Sequence, residues 1–206
     1  MVTMNEHPLA ERIVLHEWRQ FQETDNEGGR AACQGNWPMF HEMRISQFLT
    51  WPQDLLRSYA ADLDAADALG RNLVTEKYAR MMASTAPEEF HRSIEPHIPK
   101  LSPERIADQE RVIARQLAWA DAFRTRYPKL GRAMRVLRTA EDTDRDTSFE
   151  TYLRGELGTY SPATFSRYAA FTESLQGAGR NLTEETIRNT VRLAGFPGLD
   201  EAEALQ

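Results

Sequence analysis

The sequence predicts an all-α fold, a multi-helix domain spanning residues 1–206. Three observations carry that prediction. Apolar residues recur three and four positions apart along most of the chain. Prolines, serines and glycines fall where helices start and stop. No stretch alternates apolar and polar residues between hairpin turns, as half-buried strands do.

The elements follow in order. Leu9, Ile13, Trp18 and Phe21 form the stripe of a first helix, and Pro8 suits its first turn, where a missing N–H is harmless. Asp25 to Gly29 is a turn-forming cluster, and a loop through Arg30, Cys33, Gln34 and Asn36 follows. Pro38 opens a helix with Phe40, Met43 and Phe48, and Pro52 opens one with Leu55, Leu56, Tyr59 and Leu63, capped by Gly70. Leu73 to Met82 reads as the next helix. Thr85-Ala86-Pro87-Glu88 has capping-box spacing, so a short helix is expected there, ended by Pro96 and Pro99. Ser102-Pro103 starts the longest helix, which runs to about Tyr127 with Ile106, Ile113, Leu117, Ala120 and Phe123 on its stripe. Thr139 to Asp146 reads as a polar surface loop. Thr147 to Glu150 is a second capping box. Ser161-Pro162 and Asn181-Leu182-Thr183 start the last two main helices.

Composition narrows the function classes. With 41% hydrophobic and 27% charged residues the chain has ordinary globular character. A net charge of -6 argues against a nucleic-acid partner, whose binders carry a basic face. The lone Cys33 excludes an intramolecular disulfide and suits a reducing compartment. The first residues lack an apolar signal region, and no run approaches the roughly 18 apolar residues of a membrane span. The expected location is therefore cytoplasmic, with no membrane partner.

The chain also matches itself. From Thr50/Thr159 to Leu73/Leu182, eight of 24 ungapped positions are identical, including Tyr59-Ala60-Ala61 with Tyr168-Ala169-Ala170 and Gly70-Arg71-Asn72 with Gly179-Arg180-Asn181. That spacing exceeds any solenoid period of roughly 20–50 residues. The expectation is a duplicated helical unit with pseudo-two-fold architecture, its halves about 38–82 and about 147–193. Amphipathic helices with glycine caps also resemble one another by chance, and superposed coordinates separate the two explanations.

Chemistry-bearing residues are sparse. The five histidines show no H-E-x-x-H pattern and no cysteine pair, so no metal site and no cofactor is expected. Cys33 beside Arg30 could hold a lowered thiol pKa, but a free cysteine is more often a small buried hydrophobe. Glycine-rich phosphate loops and a nucleophile elbow are absent. Arg92 and His97 have the R-x4-H spacing of HEPN-type helical ribonucleases; Pro96 interrupts the helical face that reading needs, which ranks it last. Two segments pack charge and tyrosine densely, Thr75 to Arg80 and Thr151 to Glu156. Glu76/Arg80 and Glu150/Arg154 are i,i+4 pairs, which ordinarily only support a helix.

Four segments in order carry a resemblance: Asn26 to Gln34, Ser46 to Trp51, Thr75 to Met82 and Thr147 to Leu157. With them the chain, from about Glu17 to Leu193, resembles a bacterial family known only as domain of unknown function four-one-two-five. The resemblance implies no reaction and no metal ligands. Its segments are polar and lie near turns and helix starts, so they nominate positions without giving them roles.

The leading expectation is a protein that binds a small polar or anionic molecule, with catalysis on that molecule left open. Its pocket would draw on the loop Arg30–Asn36 and the helices starting near Leu73 and Ser148. Arg30, Arg80 and Arg154 would hold an anionic group. Cys33, Gln34, Lys77, Tyr78 and Tyr160 are further binding candidates, and Glu76, Tyr152 and Glu156 are the candidates for proton transfer. The competing expectation is a non-catalytic interaction module or homodimer, marked by an exposed apolar patch.

Overall fold

Helix boundaries follow the capping chemistry. The structure, a computed structural model, describes residues 7–24, 32–143 and 146–206. Among them are eleven α-helices and no strand. Ser102, Ser148, Ser161, Asn36 and Asn181 each accept a backbone N–H three residues on, which satisfies a donor the first turn leaves open.

The chain divides into two compact units, Met1–Thr75 with Ser161–Gln206, and Glu76–Tyr160. The first contains α1 (Pro8–Gln22), α2 (Trp37–Phe48), α3 (Gln53–Ala68) and the first turn of α4 (Leu73–Thr85). The second contains the rest of α4, α5 (Pro87–Glu89), α6 (Pro103–Arg126), α7 (Pro128–Arg132) and α8 (Phe149–Thr159). The chain then returns to the first unit with α9 (Pro162–Gly177), α10 (Leu182–Leu193) and α11 (Leu199–Leu205).

In the first unit α1 packs on α2 and α3, α9 on α3, and α10 on α2. Ile13, Phe48, Leu55, Leu63, Tyr168 and Leu175 are fully enclosed there. The Trp51 ring meets Tyr59 and Tyr168 at centroid distances of 5.8 and 5.4 Å, offset and tilted as aromatic quadrupoles prefer. In the second unit α6 packs on α7 and α8 around Val112, Ile113, Phe123 and Leu157.

The matched stretches share local geometry. Gly70 and Gly179 take φ of 66° and 67°, left-handed values that glycine adopts without a Cβ clash. At both, the next residue's N–H returns to the last helical turn: Arg71 to the Ala66 carbonyl and Arg180 to the Leu175 carbonyl, each at 2.9 Å. Asn72 and Asn181 then cap the following helix through Thr75 and Glu184. The second helices differ in their surroundings, because α10 lies on α2 and α4 runs on into the second unit. The likeness established is that of a helix–turn–helix corner.

Several local expectations are corrected. The Thr85–Glu88 capping box does not form: α4 continues through Thr85, and Ala86 precedes α5 without a side-chain cap. At the second box the cap is Ser148, and Glu150 accepts the Thr139 N–H at 2.8 Å instead of turning back. Ile106 is 47% exposed, since the buried face of α6 begins at Gln109. Gln109 and Gln116 occupy core positions that an apolar count passes over. The segment Thr139–Glu141 forms a 3₁₀ turn, and α11 is an additional helix.

Candidate functional site

The nominated residues of α4 and α8 are brought together in the second unit, and they satisfy one another. Lys77 Nζ donates to Glu156 Oε2 at 2.7 Å, and the Tyr160 hydroxyl donates to Glu156 Oε1 at 2.9 Å. The Lys77 ammonium lies 3.6 Å from the Tyr152 ring centroid, and the Arg135 guanidinium lies 4.8 Å from the same ring. Arg80 Nε and Nη2 donate to Glu76 Oε1 at 3.1 and 2.8 Å, and Nη2 also reaches the Pro99 carbonyl at 2.7 Å. Glu76, Lys77, Glu156 and Tyr160 are buried. A charge so placed must be paired, because desolvation alone costs several kcal/mol per ion, on the order of a domain's whole stability.

Arg154 faces other carboxylates. It grips Glu110 with Nε and Nη2 at 2.7 and 2.9 Å, and Glu150 with Nη2 at 2.7 Å. Those acceptors, Glu110 first, hold its pKa above the ordinary arginine value. Burial pushes the Glu150 carboxyl up, but the Thr139 N–H and Arg154 outweigh it and leave it below the usual value. Gln34 is buried in the first unit and donates to the Phe21 and Thr24 carbonyls at 2.7 and 2.8 Å. Tyr78 is half-buried. Arg30 lies outside the described residues, as does the side chain of Cys33, whose backbone belongs to a 3₁₀ turn, Ala32–Gly35.

An open concavity lies in the first unit, among residues the sequence reading did not nominate for binding. A groove of about 620 Å³ runs between the start of α3 and one face of α9. That volume is of the size that takes small organic ligands, roughly 300–1,000 Å³. Thr50, Trp51, Pro52 and Asp54 form one wall. The other wall is two adjacent ridges of α9 at four-residue spacing, Ser166–Ala170–Ser174 and Arg167–Phe171–Leu175. The first ridge is small and exposed, so it stands low and leaves the groove open. Arg180, just past α9, lines one end.

The groove's charges differ in how firmly they are held. Arg180 pairs with both oxygens of Glu185, Nε at 2.7 Å and Nη2 at 2.8 Å, and these hydrogen bonds raise its pKa. Arg167 Nη1 stands 3.8 Å from Asp54 Oδ2, beyond hydrogen-bond distance, and its side chain is 50% exposed. Trp51 is 5% exposed and Phe171 is half-buried. The site thus offers an apolar floor, two serine hydroxyls, one fixed cation and one loosely held charge pair. The sequence signal for it was present in part: Thr50-Trp51 and Arg180 lie within the matched stretches, and Arg167, Phe171 and Leu175 keep helical spacing.

Three structural observations bear on other readings. Among the described residues no group of three or more histidine, cysteine, aspartate or glutamate side chains could hold a metal ion. No described helix is long and apolar enough to cross a membrane. Arg92 sits in a π-helical turn, Phe90–Ile94, and His97 in the following 3₁₀ turn, Glu95–His97, so the two do not share one continuous α-helical face.

The model of the family described as "Protein of unknown function (DUF4125)" matches residues 7–204, and the chain belongs to that family. Comparisons with curated proteins and with solved structures give no match.

Proposed function

We propose that this family member binds a small polar or anionic molecule in the groove between α3 and α9. One observation carries the reading: the groove combines an aromatic floor with a guanidinium that no tight ion pair holds. Apolar surface supplies affinity there, and a few placed polar groups supply orientation. The charged groups of α4 and α8 serve a different end in this reading. Glu76, Lys77 and Glu156 are buried and hydrogen-bonded within these helices, which suits holding helices together better than receiving a ligand.

The test is a panel of small polar and anionic compounds followed by NMR on the full chain, with Ala170→Trp as the control. Ala170 is exposed on the low ridge, so the substitution fills the groove without removing core contacts. Binding that shifts the resonances of Trp51, Arg167 and Phe171, and that Ala170→Trp abolishes, is the expected result. Binding that survives the filled groove, or shifts confined to other residues, would sink the proposal.

A second reading has its own observation. Met39 and Met43, one turn apart on α2, are 55% and 54% exposed beside the aromatic cluster of Trp18, Trp37 and Phe40. Exposed methionines beside half-buried aromatic rings suit an adaptable protein interface. A concentration-dependent mass in sedimentation that Met43→Glu removes would favour this reading.

A further inference from the structure

We infer that the groove's ligand is a zwitterion with a bulky apolar side chain, an aromatic α-amino acid by chemical class. The inference rests on the groove reading above and adds its ligand chemistry. Charges of both signs line the site: Arg167 stands by Asp54, and Arg180 at one end is already paired with Glu185 outside the groove. A ligand with net negative charge would be drawn to Arg167 and repelled by Asp54 beside it. A ligand with net positive charge would meet the reverse. A molecule carrying both signs side by side satisfies both.

The pair geometry fits such a molecule. Arg167 and Asp54 are close enough to attract and too far apart for a hydrogen bond, 3.8 Å between Nη1 and Oδ2. Both are more than half or about half exposed, 50% and 58%, so the pair contributes little stability and separates at small cost. An ammonium and a carboxylate on one carbon replace that loose contact with two charge-assisted hydrogen bonds, carboxylate to Arg167 and ammonium to Asp54. Arg180 does not compete for the carboxylate, because Glu185 already occupies its fork.

The ligand's side chain is set by the same helix. Phe171 lies one turn beyond Arg167, a rise of about 6 Å along α9. A ring one methylene from the carbon that bears both charges would lie along this wall toward Phe171 and the edge of Trp51, where aromatic pairs add about 0.5–1.5 kcal/mol beyond their buried area. The open low ridge of Ser166, Ala170 and Ser174 leaves room for its width.

The test compares four probes by NMR titration at neutral pH: L-phenylalanine, 3-phenylpropanoate (no ammonium), phenethylamine (no carboxylate) and glycine (no ring). The expected result is that phenylalanine binds in the groove and each of the others binds at least about tenfold more weakly. Asp54→Asn should erase the preference over 3-phenylpropanoate, and Arg167→Met should erase the preference over phenethylamine. Both side chains are about half exposed, and unchanged thermal midpoints confirm intact folding. Equal binding of phenylalanine and either half-charged analogue overturns the zwitterion, as does indifference to both substitutions. If none of the four probes moves the groove resonances while a compound of the wider panel does, this inference falls and the groove reading stands. If no compound does, both fall.

Discussion

Glu17 in the first unit and Glu156 in the second are both buried carboxylates that accept a tyrosine hydroxyl and a cation, yet they are held differently. Arg44 grips Glu17 with two nitrogens, Nε to Oε2 at 2.7 Å and Nη2 to Oε1 at 2.6 Å, and Tyr59 adds a third bond at 2.7 Å. Lys77 donates to Glu156 Oε2 at 2.7 Å and lies over the Tyr152 ring. The planar fork of arginine matches both carboxylate oxygens, whereas an ammonium is a point charge. The first cluster ties α1, α2 and α3 through a two-nitrogen fork, with Arg44 also over the Phe48 ring; the second ties α4 to α8 through an ammonium hydrogen bond and a ring contact.

The largest expected effect comes from removing the cations. Arg44→Met leaves Glu17 buried without its fork and is expected to destabilise by about 3–5 kcal/mol. Lys77→Met removes one hydrogen bond to its carboxylate, where Arg44→Met removes two to Glu17 and one to Gln47, so its cost should fall near the low end, about 3 kcal/mol. Methionine keeps the apolar stem in place in both variants. Urea unfolding of the two variants decides it. A Lys77→Met loss equal to or larger than that of Arg44→Met would break the comparison.

A smaller effect probes why a lysine serves in the second unit. Helices α1, α2 and α3 contain no glycine, and the long arginine crosses the gap between them. Helix α8 contains Gly155 and Gly158. A Cβ on Gly155 would lie 2.8 Å from the Lys77 carbonyl oxygen and 2.9 Å from Met81 Cγ, so α8 approaches α4 through this glycine. A Cβ on Gly158 would meet Arg80 Cδ at 2.7 Å, a side chain whose guanidinium Glu76 and the Pro99 carbonyl hold. Gly155→Ala should cost about 1–3 kcal/mol, because backbone cannot yield. In Gly158→Ala a gain in helix propensity of about 1 kcal/mol offsets part of the displacement of Arg80, so its loss should be the smaller of the two. Thermal midpoints of the pair read this directly, and equal losses would mean that the approach at Gly155 is not what sets the helix spacing.

The two clusters were also unequally legible. Glu76, Lys77, Arg80, Tyr152, Glu156 and Tyr160 stand in short polar segments of helices, where i,i+4 spacing exposes pairs such as Glu76–Arg80 and Glu150–Arg154, and both pairs form. Glu17, Arg44 and Tyr59 are separated by whole helices, and no periodicity links them. The helices themselves were readable from caps and stripes, because those are local chemistry. The groove was not, because whether a helix face such as Arg167–Phe171–Leu175 stays open depends on what packs beside it. That is decided by tertiary contacts and by the small side chains of the neighbouring ridge.

The smallest effect concerns two carboxylates whose neighbours differ in kind. Burial pushes Asp142 of the second unit up, but hydrogen bonds from the Ser84 hydroxyl at 2.6 Å, the Thr151 hydroxyl at 2.6 Å and the Ser148 N–H at 2.7 Å outweigh it and hold its pKa below 3.8. Asp67 of the first unit is likewise pushed up by burial and brought below 3.8 by Gln20, His16 and Arg19. A depressed folded pKa means that the unfolded chain takes up the proton first as pH falls. The stability each carboxylate contributes is therefore fully present above the unfolded value and is lost as pH falls through the folded one. Asp142→Asn should cost about 1 kcal/mol at pH 7, and its gap to the parent should hold steady down to about pH 5 before narrowing. For Asp67→Asn, whose side-chain partners Gln20 and His16 stand at 2.8 Å, the gap should likewise narrow only below about pH 5. Urea midpoints at pH 3, 5 and 7 test both. A pH-independent gap for Asp142→Asn would remove the proposed role of its hydrogen bonds, and a flat gap for Asp67→Asn would do the same for its partners.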